Sequence, residues 1–244
     1  MHEWITGRNP VYETLKANRR QFYRLWVAQG AKPQGRLTEI MQLARAQNIP
    51  IEYVKRSNLD GIDPHHQGLA LDASGYPYSD LEAIIARAQE SQESVFVLLL
   101  DQIQDPQNLG TLIRSAEAFG VHGVIVPTAR AASVTPAVVN ASSGATELLL
   151  IAQHNIAQAM DRLKEVGGWM VGLEDSQEAQ PPEKLNLKGG IGLVIGSEAQ
   201  GLRRLVRDKC DLLMRLPMQG QIDSLNASVA GSIALYLARL ARMS

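Results

Sequence analysis

Hydrophobic positions along the chain follow two rhythms. The unbroken apolar run "VFVLLLD" at 95–101 has the pattern of a strand buried on both faces. Shorter apolar runs at 122–126, 148–151, 169–173, 191–195 and 211–216 predict further strands. Helical spacing at 109–119, 155–166, 201–208 and 225–242 separates most of them. Strand–helix alternation of this kind predicts a parallel sheet covered on both faces. Upstream, "FYRLWVA" (22–28), "IPIEYV" (49–54) and "GLALDA" (68–73) read as strands. Between them "GRLTEIMQLARAQN" (35–48) places Leu37, Ile40, Met41, Leu43 and Ala44 at helical spacing. Asn9 before Pro10 predicts an N-cap and first helical residue for a helix through Ala17.

The stretch "SGYPYSD" (74–80) interrupts both rhythms, and Ser79 with Glu82 reads as a capping box for a helix to about Gln89. The expected organisation is a small α/β module at 1–74, a linker and connecting helix at 75–91, and a larger parallel α/β domain at 92–244. Of the 244 residues 45% are hydrophobic, enough for a proper core. The single cysteine, Cys210, excludes a disulfide framework and a thiolate metal cluster, which predicts a reducing interior. No secretory leader pattern and no bilayer-length apolar run is found, so a cytoplasmic protein is expected.

Net charge is −1, which excludes a general polyanion binder. The charge is uneven, however. Residues 1–74 carry ten Lys/Arg against seven Asp/Glu, and residues 75–244 carry fourteen against eighteen. A mildly basic module beside an acidic remainder is compatible with a nucleic-acid reader attached to an enzyme.

In an open parallel sheet, ligands sit beyond the carboxyl ends of the strands. Three expected strand ends carry unusual polar loops: "DQIQDPQNLGTLIRS", "GSEAQG" and "PMQGQIDSLNAS". None contains the glycine pattern of a dinucleotide fold, and no phosphate-binding Walker sequence is present.

Together these loops resemble the SpoU (TrmH-like) family of RNA ribose 2′-O-methyltransferases, of the SPOUT superfamily. The resemblance rests on Asp105-Pro106-Gln107-Asn108-Leu109-Gly110 with Arg114, on Ile195-Gly196-Ser197-Glu198 with Gly201-Leu202, and on Leu216-Pro217-Met218 followed by Ser224-Leu225-Asn226-Ala227-Ser228. The segment "SVTPAVVNASSGATELL" (133–149) is similar to the family's connecting region. "GRNPVYETL" (7–15) and "HHQGLAL" (65–71) are similar to the L30e-like substrate-binding domain of one branch. That RlmB-type branch methylates a guanosine of large-subunit ribosomal RNA. The resemblance implies a catalytic domain with a deep trefoil knot, a homodimer, structured RNA as partner and S-adenosyl-L-methionine as cofactor. It implies no metal, membrane or DNA.

Each residue also has a plainer reading. Arg114 is a surface arginine on an amphipathic helix, or, by the resemblance, a group that activates the ribose hydroxyl or anchors a phosphate. Its spacing, read as about one turn after Asn108, allows both to face one cleft at the strand end. Asn108 is a turn residue or a positioning one. Glu198 is a carboxylate complementing a helix dipole or an orienting group in the catalytic cleft. Ser224 reads as the N-cap of the last helix and, with Asn226, as a polar group of the site. The resemblance assigns Asn108, Arg114, Glu198, Ser224 and Asn226 to catalysis, and Ile195, Gly196, Leu216, Met218, Ser224 and Leu225 to the cofactor. Gly196 would let backbone approach a ligand. His65 and His66 are expected at the surface or against RNA, and Cys210 is a small packing residue. Phosphate contact is open for Arg19, Arg20, Arg203 and Arg204.

The function so expected is methyl transfer to a ribose 2′-hydroxyl, on a guanosine of large-subunit ribosomal RNA. The alternatives are the same chemistry on transfer RNA, or an RNA-binding assembly factor without turnover.

Overall fold

The computed structural model describes residues 2–129, 131–198, 200–221 and 224–243. The chain forms two compact units. One comprises Met1–Pro77 with Val134–Leu148, the other Tyr78–Ser133 with Leu149–Ser244.

The first unit is built on strands β1 (His2–Thr6), β2 (Phe22–Ala28), β3 (Ile51–Val54) and β4 (Leu69–Ser74), in the order β1-β4-β2-β3. Strand β4 runs antiparallel to both β1 and β2, and β2 is parallel to β3. Helices α1 (Arg8–Ala17), α2 (Arg36–Ala46) and the short α3 (Arg56–Asp60) complete it. Strand β1 was not expected; its exposed start, His2 and Glu3, hides the apolar half that pairs with β4. Helix α1 begins two residues earlier than the Asn9 cap predicted. Gly7, at φ 81°, is the N-cap, and Pro10 falls in the first turn, where it removes no helical hydrogen bond.

The Val134–Leu148 segment, expected within the larger domain, packs with this first unit. It carries α6 (Pro136–Ala141). Two buried groups anchor it: Arg20 Nη2 donates to Glu147 Oε1 at 2.7 Å, and the Tyr76 hydroxyl donates to the Thr146 carbonyl at 2.7 Å. The Arg20 and Glu147 side chains are fully buried, so each is the other's compensation for lost water. Arg20 also binds Glu3, which removes it from the candidates for phosphate contact.

The second unit has six parallel strands: β5 (Phe96–Asp101), β6 (Gly123–Val126), β7 (Leu150–Gln153), β8 (Gly168–Leu173), β9 (Gly190–Gly196) and β10 (Leu212–Met214). They are parallel, as the alternation predicted, and their order is β10-β8-β9-β5-β6-β7. Strands β5 and β9 lie at the centre and are buried along their whole length. Each Leu, Ile or Val they withdraw from water contributes about 1.5–3 kcal/mol. Helices α4 (Leu81–Glu90), α5 (Pro106–Ala118), α7 (Ile156–Glu165), α8 (Arg204–Asp208) and α9 (Ala227–Met243) cover the sheet. Helix α4 starts at Leu81 with Asp80, rather than Ser79, at the cap position. Ser79 bridges to Ala152, and Glu82 pairs with Arg162.

From β5 the chain steps outward through β6 and β7. It then crosses to β8 and returns to place β9 beside β5. The β5–β9 boundary is therefore where strand order reverses, the place such sheets bind ligands.

Candidate active site

At that boundary Asp101 ends β5 opposite Gly196 at the end of β9. Asp101 is fully buried and accepts from the Arg203 backbone N–H at 2.9 Å and from its Nε at 2.7 Å. This pair pins the chain after the β9 loop to the β5 end. Arg203 is thus held by a carboxylate rather than presented for phosphate. Sequence reasoning missed Asp101 because it read as the last residue of a core strand.

The β9 loop closes on itself. Ser197 and Gly201 exchange backbone hydrogen bonds at 3.2 and 2.9 Å. A Cβ on Gly196 would lie 2.2 Å from the Gly201 carbonyl carbon and 2.5 Å from the Leu202 nitrogen. Glycine at 196 is required by this turn, and the same residue lines one of the cavities at this end of the sheet.

The turn carries Glu198 to the mouth of the sheet. Its Oε1 accepts from Asn108 Nδ2 at 3.1 Å, from the Ala227 backbone N–H at 3.2 Å, and from Asn226 Nδ2. Asn226 Nδ2 also lies 3.0 Å from Asn108 Oδ1. The ends of β5 and β9 and the start of α9 therefore meet in one polar cluster. Both readings of Glu198 hold geometrically: it complements the N-terminus of α9 and it joins the two asparagines. Asn108 is in the first turn of α5, opened by Pro106 and capped by Asp105, which accepts from the Gln107 N–H at 3.0 Å.

The N-cap expected at Ser224 falls at Asn226. Its Oδ1 accepts from the backbone N–H of Ser228 at 3.0 Å and of Val229 at 3.3 Å. Ser224 lies two residues outside the helix, exposed on the wall of a cavity.

Two cavities open at this end of the sheet. One, of about 300 Å³, gathers all six residues expected at the cofactor: Ile195, Gly196, Leu216, Met218, Ser224 and Leu225. Leu173, Glu174, Asp175 and Arg215 also line it. Sequence reasoning passed over Leu173, Glu174 and Asp175 because the end of β8 carries no family motif, although the strand-end rule covers it. The second cavity, of about 570 Å³, is lined by Gln102, Asp105, Asn108 and Gln200 among others. Ser197 and Glu198 line both, so the two spaces share a wall.

Arg114 stands further along α5. Six residues after Asn108, it lies about 120° around the helix and about 9 Å along it. It is exposed, and the spacing is nearer two turns than the one turn expected after Asn108. His66, expected outside, is fully buried, with Nε2 3.0 Å from Asp60 and Nδ1 accepting from the Gly68 N–H. His65 is exposed. The Cys210 thiol is pushed up to about 12 by burial and by Asp211, so it remains a protonated packing group.

Comparison with known proteins bears on what this arrangement is. The model of the SpoU rRNA Methylase family matches residues 95–236, and that of RNA 2′-O ribose methyltransferase substrate-binding domains matches residues 4–79. YacO of Bacillus subtilis (strain 168), assigned to the TrmH family of tRNA/rRNA methyltransferases, is 40% identical over 239 residues, covering 96% of this chain and 94% of that protein. A Staphylococcus saprophyticus protein with the same family assignment is 37% identical over 95% of this chain and 93% of its own. The crystal structure of the SpoU methyltransferase AviRb from Streptomyces viridochromogenes, in complex with AdoMet, superposes with a TM-score of 0.82. It is 25% identical and covers 99% of this chain and 91% of that one. The polar cluster thus lies within the region matched by the methylase family, and the first sheet within that matched by the substrate-binding family. The chain belongs to the SpoU family of RNA methyltransferases.

Proposed function

We propose that the protein transfers a methyl group from S-adenosyl-L-methionine to a ribose 2′-hydroxyl, on a guanosine of large-subunit ribosomal RNA as in the RlmB-type branch. The observation that carries this reading is the shared wall: two cavities separated by Ser197 and Glu198, with the Asn108–Glu198–Asn226 cluster at the partition. The smaller cavity suits the donor. Ile195, Leu216, Met218 and Leu225 offer apolar walls for a flat base, and Asp175 offers a carboxylate to a cationic tail. When bound there, S-adenosyl-L-methionine supplies a methyl on a positively charged sulfur, open to in-line attack. The residues of the cluster fix the wall across which the acceptor approaches, and positioning of this kind is worth several kcal/mol of barrier.

Asn108 and Asn226 are neutral amides held by Glu198 and take the positioning role. Ser224 stands on the donor side. Arg114 is assigned to an RNA phosphate rather than to the hydroxyl proton, since a guanidinium stays protonated.

A homodimer is supported by α9. Val229, Ile233, Tyr236, Leu240 and Met243 recur at spacings of three and four along it and are 39–71% exposed. A second copy covering that stripe would bury it. An Ile233→Glu, Tyr236→Glu variant is expected to sediment as a monomer, and an unchanged dimer would contradict this. The knotted threading of the family and a cytoplasmic setting belong to the same proposal.

The ribosomal assignment is favoured by the first unit. The A. aeolicus TrmH/SpoU tRNA modifying enzyme superposes on only 67% of this chain, with a TM-score of 0.56. Ribose-methylation maps of ribosomal and transfer RNA, from cells with and without the gene, test it. Loss of a large-subunit guanosine mark is expected, and loss of a transfer-RNA mark alone would contradict the assignment.

A further inference from the structure

The first unit carries a cavity of about 600 Å³ that the methyl-transfer site does not use. Its walls are small residues and backbone, including Gly30, Ala31 and Gly68. Three cations, Arg8, Lys32 and Arg56, also line it, and no carboxylate does. They come from three separate places: the start of α1, the loop after β2, and the start of α3.

These cations differ from three others in the unit. Arg20, Arg24 and Arg36 are each engaged by a carboxylate. The side chains of Arg8, Lys32 and Arg56 form no ion pair or hydrogen bond among the described residues. Lys32 and Arg56 are exposed and Arg8 is half-buried. Mutually repelling charges gathered around an open space, with small residues at its floor, cost stability unless an anion occupies it. The space admits a nucleotide-sized group, and Gly30, at φ 78°, and Gly68, at φ 89°, let backbone approach closely.

We propose that the cleft bounded by Arg8, Lys32 and Arg56 binds successive backbone phosphates of an unpaired segment of the RNA substrate, and so supplies the electrostatic part of substrate affinity. This deepens the proposed function and rests on its reading of RNA as substrate. Unpaired RNA is favoured because a cleft of this size admits a single strand, whereas a duplex needs a broad flat footprint. The uneven charge of the chain agrees: the net positive part of the sequence is the part that carries the cleft.

The test compares the full chain with an Arg8→Gln, Lys32→Gln, Arg56→Gln variant. The probe is protein-free large-subunit ribosomal RNA, with affinity measured by fluorescence anisotropy from 50 to 300 mM salt. Each phosphate contact on a single strand contributes about 0.7 to the slope of log affinity against log salt. The variant slope should therefore be shallower by about 2, with affinity at least tenfold weaker at about 0.1 M salt. Donor affinity, read by calorimetry, and thermal unfolding should stay unchanged, and KM for RNA should rise with kcat retained. Single Gln variants should each reduce the slope by about 0.7. Unchanged slope and affinity in the triple variant, with methyl transfer intact, would overturn the cleft assignment alone. If the unaltered protein neither binds nor methylates the RNA, the proposed function fails and the cleft assignment with it.

Discussion

Glu198 Oε1 accepts from Asn108 Nδ2 at 3.1 Å, joining the ends of two adjacent strands across ninety residues of sequence. Asn226 and the Ala227 N–H converge on the same oxygen. Removing that oxygen leaves three donors to find water at an exposed site. Glu198→Ala should therefore cost only about 1 kcal/mol of stability. Methyl transfer should fall far more, on the order of a hundredfold, because the partition between the cavities loses its fixed geometry. Glu198→Gln keeps an acceptor oxygen and should retain more activity than Glu198→Ala. Single-turnover methylation beside thermal unfolding checks both.

Two glycines of the site should respond differently to alanine. At Gly196 the added methyl meets backbone of Gly201 and Leu202, which cannot yield without opening the turn. At Gly231 it meets the side-chain ends of Ile195 and Leu112, 2.4 and 2.6 Å away, which can shift. Alanine there also favours the helix by about 1 kcal/mol, which offsets part of the overpacking. Gly196→Ala should lose most donor binding in calorimetric titration, whereas Gly231→Ala should change it only a few-fold.

Arg114→Lys separates phosphate anchoring from a direct part in proton removal. Lysine keeps the charge but not the planar fork. Retained kcat with a several-fold higher KM for RNA is expected. A collapse of kcat at unchanged RNA affinity would place the guanidinium at the reacting hydroxyl instead.

Stability should fall on the acid side of neutrality through His122. Burial holds its imidazole below the usual value of 6.5, against the pull of Glu93, and Nδ1 accepts the Phe96 N–H at 2.9 Å. The unfolded chain takes up a proton near pH 6.5 that the folded histidine resists. The contribution is thus complete above that pH and is lost as pH falls through the lower folded value. Melting temperature should drop between pH 7.5 and 5.5, and His122→Gln should flatten that part of the profile.

Much of the second unit is legible in the chain. The runs that form β5 and β9 are apolar without alternation because both faces are covered, so local pattern alone reveals them. Which polar residue caps α9 is not legible. Ser224, Asn226 and Ser228 are all favourable N-cap types within five residues, and only the two amides that reach Asn226 Oδ1 decide it. The return of Val134–Leu148 to the first unit is equally hidden. It depends on Glu147 meeting Arg20, 127 positions away, and no local propensity encodes that pairing. The residues named for the donor converge on one cavity because their loops all leave the same edge of a parallel sheet. Arg114 shows the limit of spacing as a guide, since six residues on a helix span nearer two turns than one.

The most direct test of the central claim is to supply S-adenosyl-L-methionine labelled on its methyl group together with protein-free large-subunit ribosomal RNA, and then to hydrolyse the RNA in alkali. A 2′-O-methyl group blocks cleavage at its own nucleotide. The account predicts label in an alkali-resistant dinucleotide containing guanosine, reduced on the order of a hundredfold with Glu198→Ala. Label recovered in mononucleotides, as base methylation would give, or no transfer to any RNA while donor and RNA both bind, would contradict it.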